Sequence, residues 1–200
     1  MSDADRERWN RRYATPAQDA PRAATVLQDN QHLLPPHGAA LDLACGRGGN
    51  ALLLARHGLN TQAWDIATSA LGPLQRQAEQ EQLPLTTHSV DLDRTPLPVA
   101  AFEVICVSGF LRRDLCPAIA AALKPNGLLF YQTFTQLRMG EGGGPSNPDF
   151  LLASGELLRL FATLQPLVYR EDADAGDLRQ GLRNQAALVA RRPEPDPPPA

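Results

Sequence analysis

Leu41-Asp42-Leu43-Ala44-Cys45-Gly46-Arg47-Gly48-Gly49-Asn50, followed by Trp64-Asp65, is the stretch that decides the fold. A short apolar strand carries a carboxylate, a glycine turn follows, then a helix, then a second strand ending in another carboxylate. Glycines at 46 and 48 let a ligand approach the backbone where a Cβ would obstruct it. The first N–H groups of the following helix point toward the same space. Two carboxylates at successive strand ends can hold hydroxyls or an ammonium group. These features describe a cradle for a nucleotide-type cofactor.

Two cofactors compete for it. Gly46-Arg47-Gly48-Gly49-Asn50-Ala51 fits the dinucleotide pattern G-x-G-x-x-G/A, with Asp65 near the distance of a ribose-binding acid. Asp42 opposes that choice, because a carboxylate beside a pyrophosphate is repelled, whereas a cofactor with a cationic amino-acid end is attracted to it. The spacing Asp42-x-Ala44-x-Gly46-x-Gly48 resembles the D/E-x-G-x-G-x-G motif of class I S-adenosylmethionine (SAM) dependent methyltransferases. Ala44 departs from it at the first glycine position, which bears on local backbone geometry.

Working outward, strands and helices alternate. Strands are expected at 39–44, 60–65, 85–90 (ending at Asp91), 102–107 and 128–134, and helices at 48–57, 67–82 and 114–123. The fourth strand, Phe102-Glu103-Val104-Ile105-Cys106-Val107, is almost wholly apolar, as a strand buried on both faces should be. Lys124-Pro125-Asn126-Gly127 turns the chain between the last helix and the fifth strand. Such alternation specifies a parallel sheet covered by helices. On the N-terminal side, residues 3–13 form a charged helix with Trp9 and Tyr13 on one face, either packed on the body or serving as a flap over the cofactor. Residues 17–34 read as a second helix with Val26, Leu27, Leu33 and Leu34 on one side.

After Phe134 the rhythm breaks. Residues 135–150 hold Gly140, Gly142, Gly143, Gly144, Pro145 and Pro148, and a loop of that length and composition suits a lid. Phe150-Leu151-Leu152 would anchor its far end. Ser154 is placed to cap a helix whose Leu157, Leu158, Phe161 and Leu164 face the core. Residues 165–170 and 184–190 are the last two strands, joined by a solvated acidic loop from Glu171 to Asp177. The domain organisation is one unit over 1–192 with a helical cap of about residues 1–34, and a Pro-rich tail at 193–200 that should be disordered.

Composition narrows the partners. With 19 basic and 22 acidic side chains in 200 residues and a formal charge of −3, the chain offers no broad attraction to nucleic acid. No stretch reaches the roughly 18 apolar residues of a membrane helix, and the charged start Met1-Ser2-Asp3-Ala4-Asp5-Arg6 does not resemble a secretory signal. Cys45, Cys106 and Cys116 lack C-x-x-C spacing, so reduced thiols of a cytoplasmic protein are expected, with no metal site. His57 and His88 read as a helix C-terminal cation and a strand-end surface residue.

LDLACGRGGN at 41–50, AWD at 63–65, VDLD at 90–93 and FEVICVSGFLRRDL…LKPNGLLFYQTFT within 102–135 together resemble a class I SAM-dependent methyltransferase over residues 8 to 192. More narrowly the chain is similar to the small tellurite-resistance type, whose members act on small, soft nucleophiles. The resemblance implies a Rossmann-like, seven-stranded, mostly parallel α/β sheet with helices on both faces and the last strand antiparallel. It implies SAM across the carboxyl ends of the first four strands, with the turn Ala44, Cys45, Gly46 and Gly48 around the methionine portion and Asp42 holding its ammonium, directly or through water. Asp65 would take both ribose hydroxyls. Asp91 and the Leu92 N–H would meet the adenine edge, and Ile66 its face. Ser108 to Phe110 would face the sulfonium and the acceptor.

The acceptor would be a small molecule such as a thiol or chalcogen oxyanion. Tyr131, Arg112 and Arg113 are the polar candidates beside it, with a solvated helix start the competing reading for the arginines. A SAM-binding protein without catalysis and an NAD(P)-dependent oxidoreductase are the alternatives.

Overall fold

The computed structural model describes residues 3–15, 19–139 and 143–194. Helix α1 (Asp3–Ala14) comes first, then a short α2 (Thr25–Asp29). The alternating body follows: β1 (Ala39–Leu43), α3 (Gly49–Arg56), β2 (Asn60–Asp65), α4 (Thr68–Gln80), β3 (Leu85–Ser89), β4 (Phe102–Ser108), α5 (Cys116–Ala122) and β5 (Leu123–Phe134). The chain ends in α6 (Glu156–Leu160), β6 (Gln165–Arg170) and β7 (Gln185–Arg191).

One seven-stranded sheet runs in the order β3-β2-β1-β4-β5-β7-β6. β1 to β5 are parallel, and β7 is antiparallel to both β5 and β6. The strand order reverses between β1 and β4. Helices leaving those two strands diverge to opposite faces there and open a crevice at the strands' carboxyl ends. The register brings Leu43 beside Trp64 and Val107, and Asp65 beside Ser89.

Alternation along β1 and β4 divides the core. Leu41, Leu43, Ile105 and Val107 face one helical layer with Ile119 and Phe161. Ala40, Val104 and Cys106 face the other, with Val26, Leu27 and Leu54. By the same period of two, Asp42 lies on the side of Ala40, under α3.

Several expectations need correcting. The helix expected over 17–34 is only α2 followed by a 3₁₀ turn at Gln31–Leu33, and residues 16–18 lie outside the described residues. Tertiary acceptors take the N–H groups a longer helix would have used: Ala24 N donates to Asn50 Oδ1 (2.8 Å) and Val26 N to Gln132 Oε1 (2.8 Å). Lys124-Pro125-Asn126-Gly127 is a bulge within β5, where the pairing jumps from Phe102–Leu123 to Val104–Leu128. Asn126 there takes φ 63°.

Ser154 does not cap α6. Gly155 holds that place at φ 66°, while Glu156 Oε2 accepts from Ala153 N (2.7 Å). Leu158 is exposed, whereas Leu157, Phe161 and Leu164 are buried. The acidic loop is organised around Arg183, whose guanidinium donates to the carbonyls of Asp172, Ala173, Ala175 and Asp177. Arg170 pairs with the Asp172 carboxylate at 2.8 Å.

Gly140 and Gly142 of the expected lid, and residues 195–200 of the tail, lie outside the described residues. The lid's flanks are pinned at the base by Gln136 N to Leu152 O and Leu152 N to Phe134 O, each 2.9 Å. Leu151 and Leu152 are buried as expected, and Phe150 is half-exposed. His57 stands exposed just past α3 and His88 exposed on β3.

Candidate functional site

The glycine turn after β1 is built by exclusion. Ala44 takes φ 54°, Gly46 φ 52° and Gly48 φ 77°, so the chain passes three times through left-handed space within five residues. Gly48 caps α3 without a side chain, and a Cβ there would stand 2.3 Å from a Leu74 methyl. Gly49 admits no Cβ either, because the Arg22 carbonyl oxygen would lie 2.2 Å away.

With no side chain at its cap, α3 borrows an acceptor from the strand behind it. Asp42 Oδ2 accepts from Ala51 N (3.0 Å) and Oδ1 from Asn50 Nδ2 (3.2 Å). A carboxylate at a helix N-terminus complements the helix dipole. Asp42 is nevertheless fully buried, and burial pushes its carboxyl up to about 7, with the Asn50 and Ala51 hydrogen bonds opposing and Asp65 adding to the rise.

Asn50, which sequence reasoning did not single out, is the hub of this corner. Its amide also donates to Ser108 Oγ (2.9 Å), and its carbonyl holds the segment before α2. Its position two residues after a side-chain-free cap was the available signal.

Asp65 closes the turn from β2. Its Oδ2 accepts from Gly46 N and its Oδ1 from Ala67 N, both at 2.8 Å. Burial raises this carboxyl, restrained by the Ala67, Gly46 and Ile66 amides. Cys45 is buried with its N–H on Trp64 O (3.0 Å), and burial holds its thiol well above its ordinary range.

A cleft of about 70 Å³ lies at these strand ends. Ala44, Asp65, Ile66, Leu92 and Ser108 to Phe110 line it, as do Trp64 and Val90, to which the motif reading gave no role. Gly46 adjoins it through Tyr13. Asp42, Cys45, Gly48 and Asp91 do not line it. Asp91 folds its own turn, with Oδ1 accepting from Asp93 N (3.0 Å) and the Arg94 guanidinium 3.7 Å away.

The roof is α1. Trp9 and Tyr13 stack with ring centres 5.9 Å apart, and Tyr13 Oη stands 2.7 Å from where a Gly46 Cβ would be. Burial, then Asp65, push the Tyr13 phenol up to about 12. Arg47 reaches across to the Tyr13 ring (5.4 Å) and to Thr15 O (2.5 Å). None of the α1 residues is fully buried, and Asn10 is the helix's chief polar tether, accepting from Ser69 N and Ser69 Oγ, each at 3.0 Å.

Beyond Gly109 and Phe110 the cleft adjoins a larger chamber of about 500 Å³, bounded by α1, Leu111, Arg112, Phe134, Pro145 and Phe150. Arg112 is thus on its wall, ion-paired with Asp93 and Asp114. Arg113 and Tyr131 are on neither wall. Arg113 staples the far end of the glycine-rich segment, donating to Glu156, Asp149 O and Leu151 O (2.9 Å for the last). Tyr131 is fully buried against Phe161 and donates to Phe110 O (2.9 Å), behind the chamber.

Among known proteins, the family model described as "Tellurite resistance protein TehB" matches residues 9–185. A ubiquinone biosynthesis O-methyltransferase of Coxiella burnetii (strain RSA 493 / Nine Mile phase I) is 29% identical over 101 residues, 48% of this chain and 43% of that protein. The match therefore spans less than half the length of that relative. The structure of TehB from Haemophilus influenzae superposes with a TM-score of 0.67 at 20% identity, covering 94% of this chain and 66% of that one. Geranyl diphosphate C-methyltransferase from Streptomyces coelicolor A3(2) gives 0.69 at 15% identity, covering 94% and 97%. At such identities the two structures share the fold.

Proposed function

This chain belongs to the TehB family, and from that premise we propose that it transfers a methyl group from SAM to a small-molecule acceptor, a soft nucleophile such as a thiol or a chalcogen oxyanion. Asp65 carries this reading. It is a half-buried carboxylate at a strand end, on the wall of the cleft, with two backbone donors on its inner side. A carboxylate has about four acceptor positions, so it retains capacity for a vicinal diol such as that of a ribose. The small side chains at 44 and 46 keep the neighbouring turn open to the methionine portion.

In this account Ile66 and Leu92 hold the adenine between apolar surfaces, with Asp91 fixing the turn that presents Leu92. Asp42 acts through the turn and α3, not by touching the ammonium. Cys45 and Gly48 shape the same turn. Ser108, Gly109 and Phe110 occupy the passage between cleft and chamber.

Bound SAM supplies an electrophilic methyl on a sulfonium that is already a good leaving group. The protein's part is alignment, worth up to about 7–11 kcal/mol of barrier in well-oriented reactions. A thiolate or oxyanion acceptor needs no general base; among the described residues the chamber wall carries the ion-paired carboxylates of Asp5 and Asp93 and no histidine, lysine or cysteine.

A cleft of about 70 Å³ is far below the ~300–1,000 Å³ of sites for drug-sized ligands. We therefore assign α1 as a flap that lifts to admit the cofactor. Its light attachment through Asn10 and Tyr13 suits that motion. Conversion of SAM to S-adenosylhomocysteine (SAH) over a panel of thiols and oxyanions tests the function. Turnover with at least one acceptor is expected, while SAM binding without turnover of any would favour a non-catalytic binding protein.

A further inference from the structure

The chamber beyond Phe110 has a chemistry of its own. Its walls are largely aromatic and aliphatic: Trp9, Phe110, Leu111, Phe134 and Phe150. Its volume of about 500 Å³ is that of an organic ligand and many times that of a bare oxyanion. Its cations differ in how they are engaged. Arg8 is paired with Asp5 at 3.0 Å, and Arg112 with Asp93 and Asp114. Arg12 has no carboxylate partner among the described residues. Its guanidinium lies 5.4 Å over the Trp9 ring, as that of Arg8 does at 5.7 Å, and a ring contact leaves its N–H donors for another group.

We propose that the acceptor is an organic anion with an apolar, aromatic-sized body, and that Arg12 selects it by pairing with its carboxylate or an equivalent anionic group. This rests on the assignment of SAM to the adjoining cleft. The body fills the chamber between Phe110, Phe134 and Phe150, and its nucleophilic end points through the Gly109–Phe110 passage. With a thiolate acceptor, the sulfur lone pair forms the new S–CH₃ bond. The methyl–sulfonium bond breaks with its electron pair going to the SAM sulfur, which leaves as the neutral thioether SAH. The thiol proton has been lost to solvent beforehand, so no oxidant or base of the protein is consumed.

Three probes decide the matter: 4-mercaptobenzoate, its neutral isostere 4-mercaptobenzamide, and potassium tellurite. SAH formation is followed for each, and SAM affinity is measured separately by calorimetry. The carboxylate is expected to exceed the carboxamide in kcat/KM by about tenfold or more, the scale of a charge-assisted hydrogen bond. Arg12→Gln should erase most of that ratio, and Arg12→Lys, which keeps the charge without the fork, should restore part of it. A ratio that survives Arg12→Gln overturns the proposal. So does efficient methylation of tellurite with both aryl thiols inert. SAM binding with neither aryl thiol accepted overturns this inference alone, whereas failure to bind SAM overturns the assignment of the cleft and this inference together.

Discussion

Ala44 bears the local cost of the glycine turn after β1. At φ 54° it holds a backbone conformation that costs a side-chain-bearing residue roughly 1–2 kcal/mol. The family motif's glycine would relieve this. Ala44→Gly is expected to stabilise the fold by about 1 kcal/mol after the extra unfolded-state entropy of glycine is deducted, as chemical denaturation would show. No gain would mean that the Ala44 methyl makes compensating contacts at the cleft wall.

Asp42 makes a second prediction at this scale. Its folded carboxyl is pushed up to about 7 by burial, while an unfolded aspartate titrates near 4. Between those values the folded state holds the proton more tightly, so this group's contribution to stability is full below about pH 4 and is lost as pH rises toward 7. Asp42→Asn removes the titration. The variant's stability relative to the parent should therefore climb by up to about 1.4 kcal/mol per pH unit across that window, and a flat difference would contradict the assignment. Asp65→Ala should leave the fold intact and weaken SAM binding by about 1–3 kcal/mol for each hydrogen bond lost.

At the scale of elements, the regular body was legible because period and punctuation agree there. Strand β2 falls on its expected residues 60–65, and α3 and α4 lie within a residue or two of expectation. The segment before β1 was not legible, since its N–H groups are claimed by Asn50 and Gln132, 26 and 106 positions away from the donors. Nothing in a local pattern signals such partners. Likewise the motif singles out Asp42, but the direction of its side chain follows from which face of β1 meets α3. Arg113, read as either an acceptor contact or a solvated helix start, is a loop staple.

Helix α1 is where this scale makes its own prediction. If it is the flap, loosening its tether with Asn10→Ala should speed both entry and release of SAM, read by stopped-flow tryptophan fluorescence. Trp9, in the flap itself, is a suitable reporter. Unchanged rates in both directions would leave α1 as fixed packing.

For the whole molecule, the alternating pattern specified a parallel sheet covered by helices, and the crevice lies where the strand order reverses between β1 and β4. The match over residues 9–185 shows the family. No helix among the described residues is long and apolar enough to cross a membrane. The chamber proposed for the acceptor was not legible, because its wall combines side chains from α1, the loop after β4 and the segment beyond β5, which meet only in three dimensions. The crevice at the ends of β1, β2 and β4, with Asp65 on its wall, is the site proposed for SAM. Isothermal titration of the purified chain with SAM, SAH, NADH and NADPH tests it most directly. SAM and SAH should bind at one site per chain, with affinity reduced in Asp65→Ala, and the nicotinamides should give no heat. Binding of a nicotinamide cofactor without SAM would contradict the account, as would SAM affinity untouched in a folded Asp65→Ala variant.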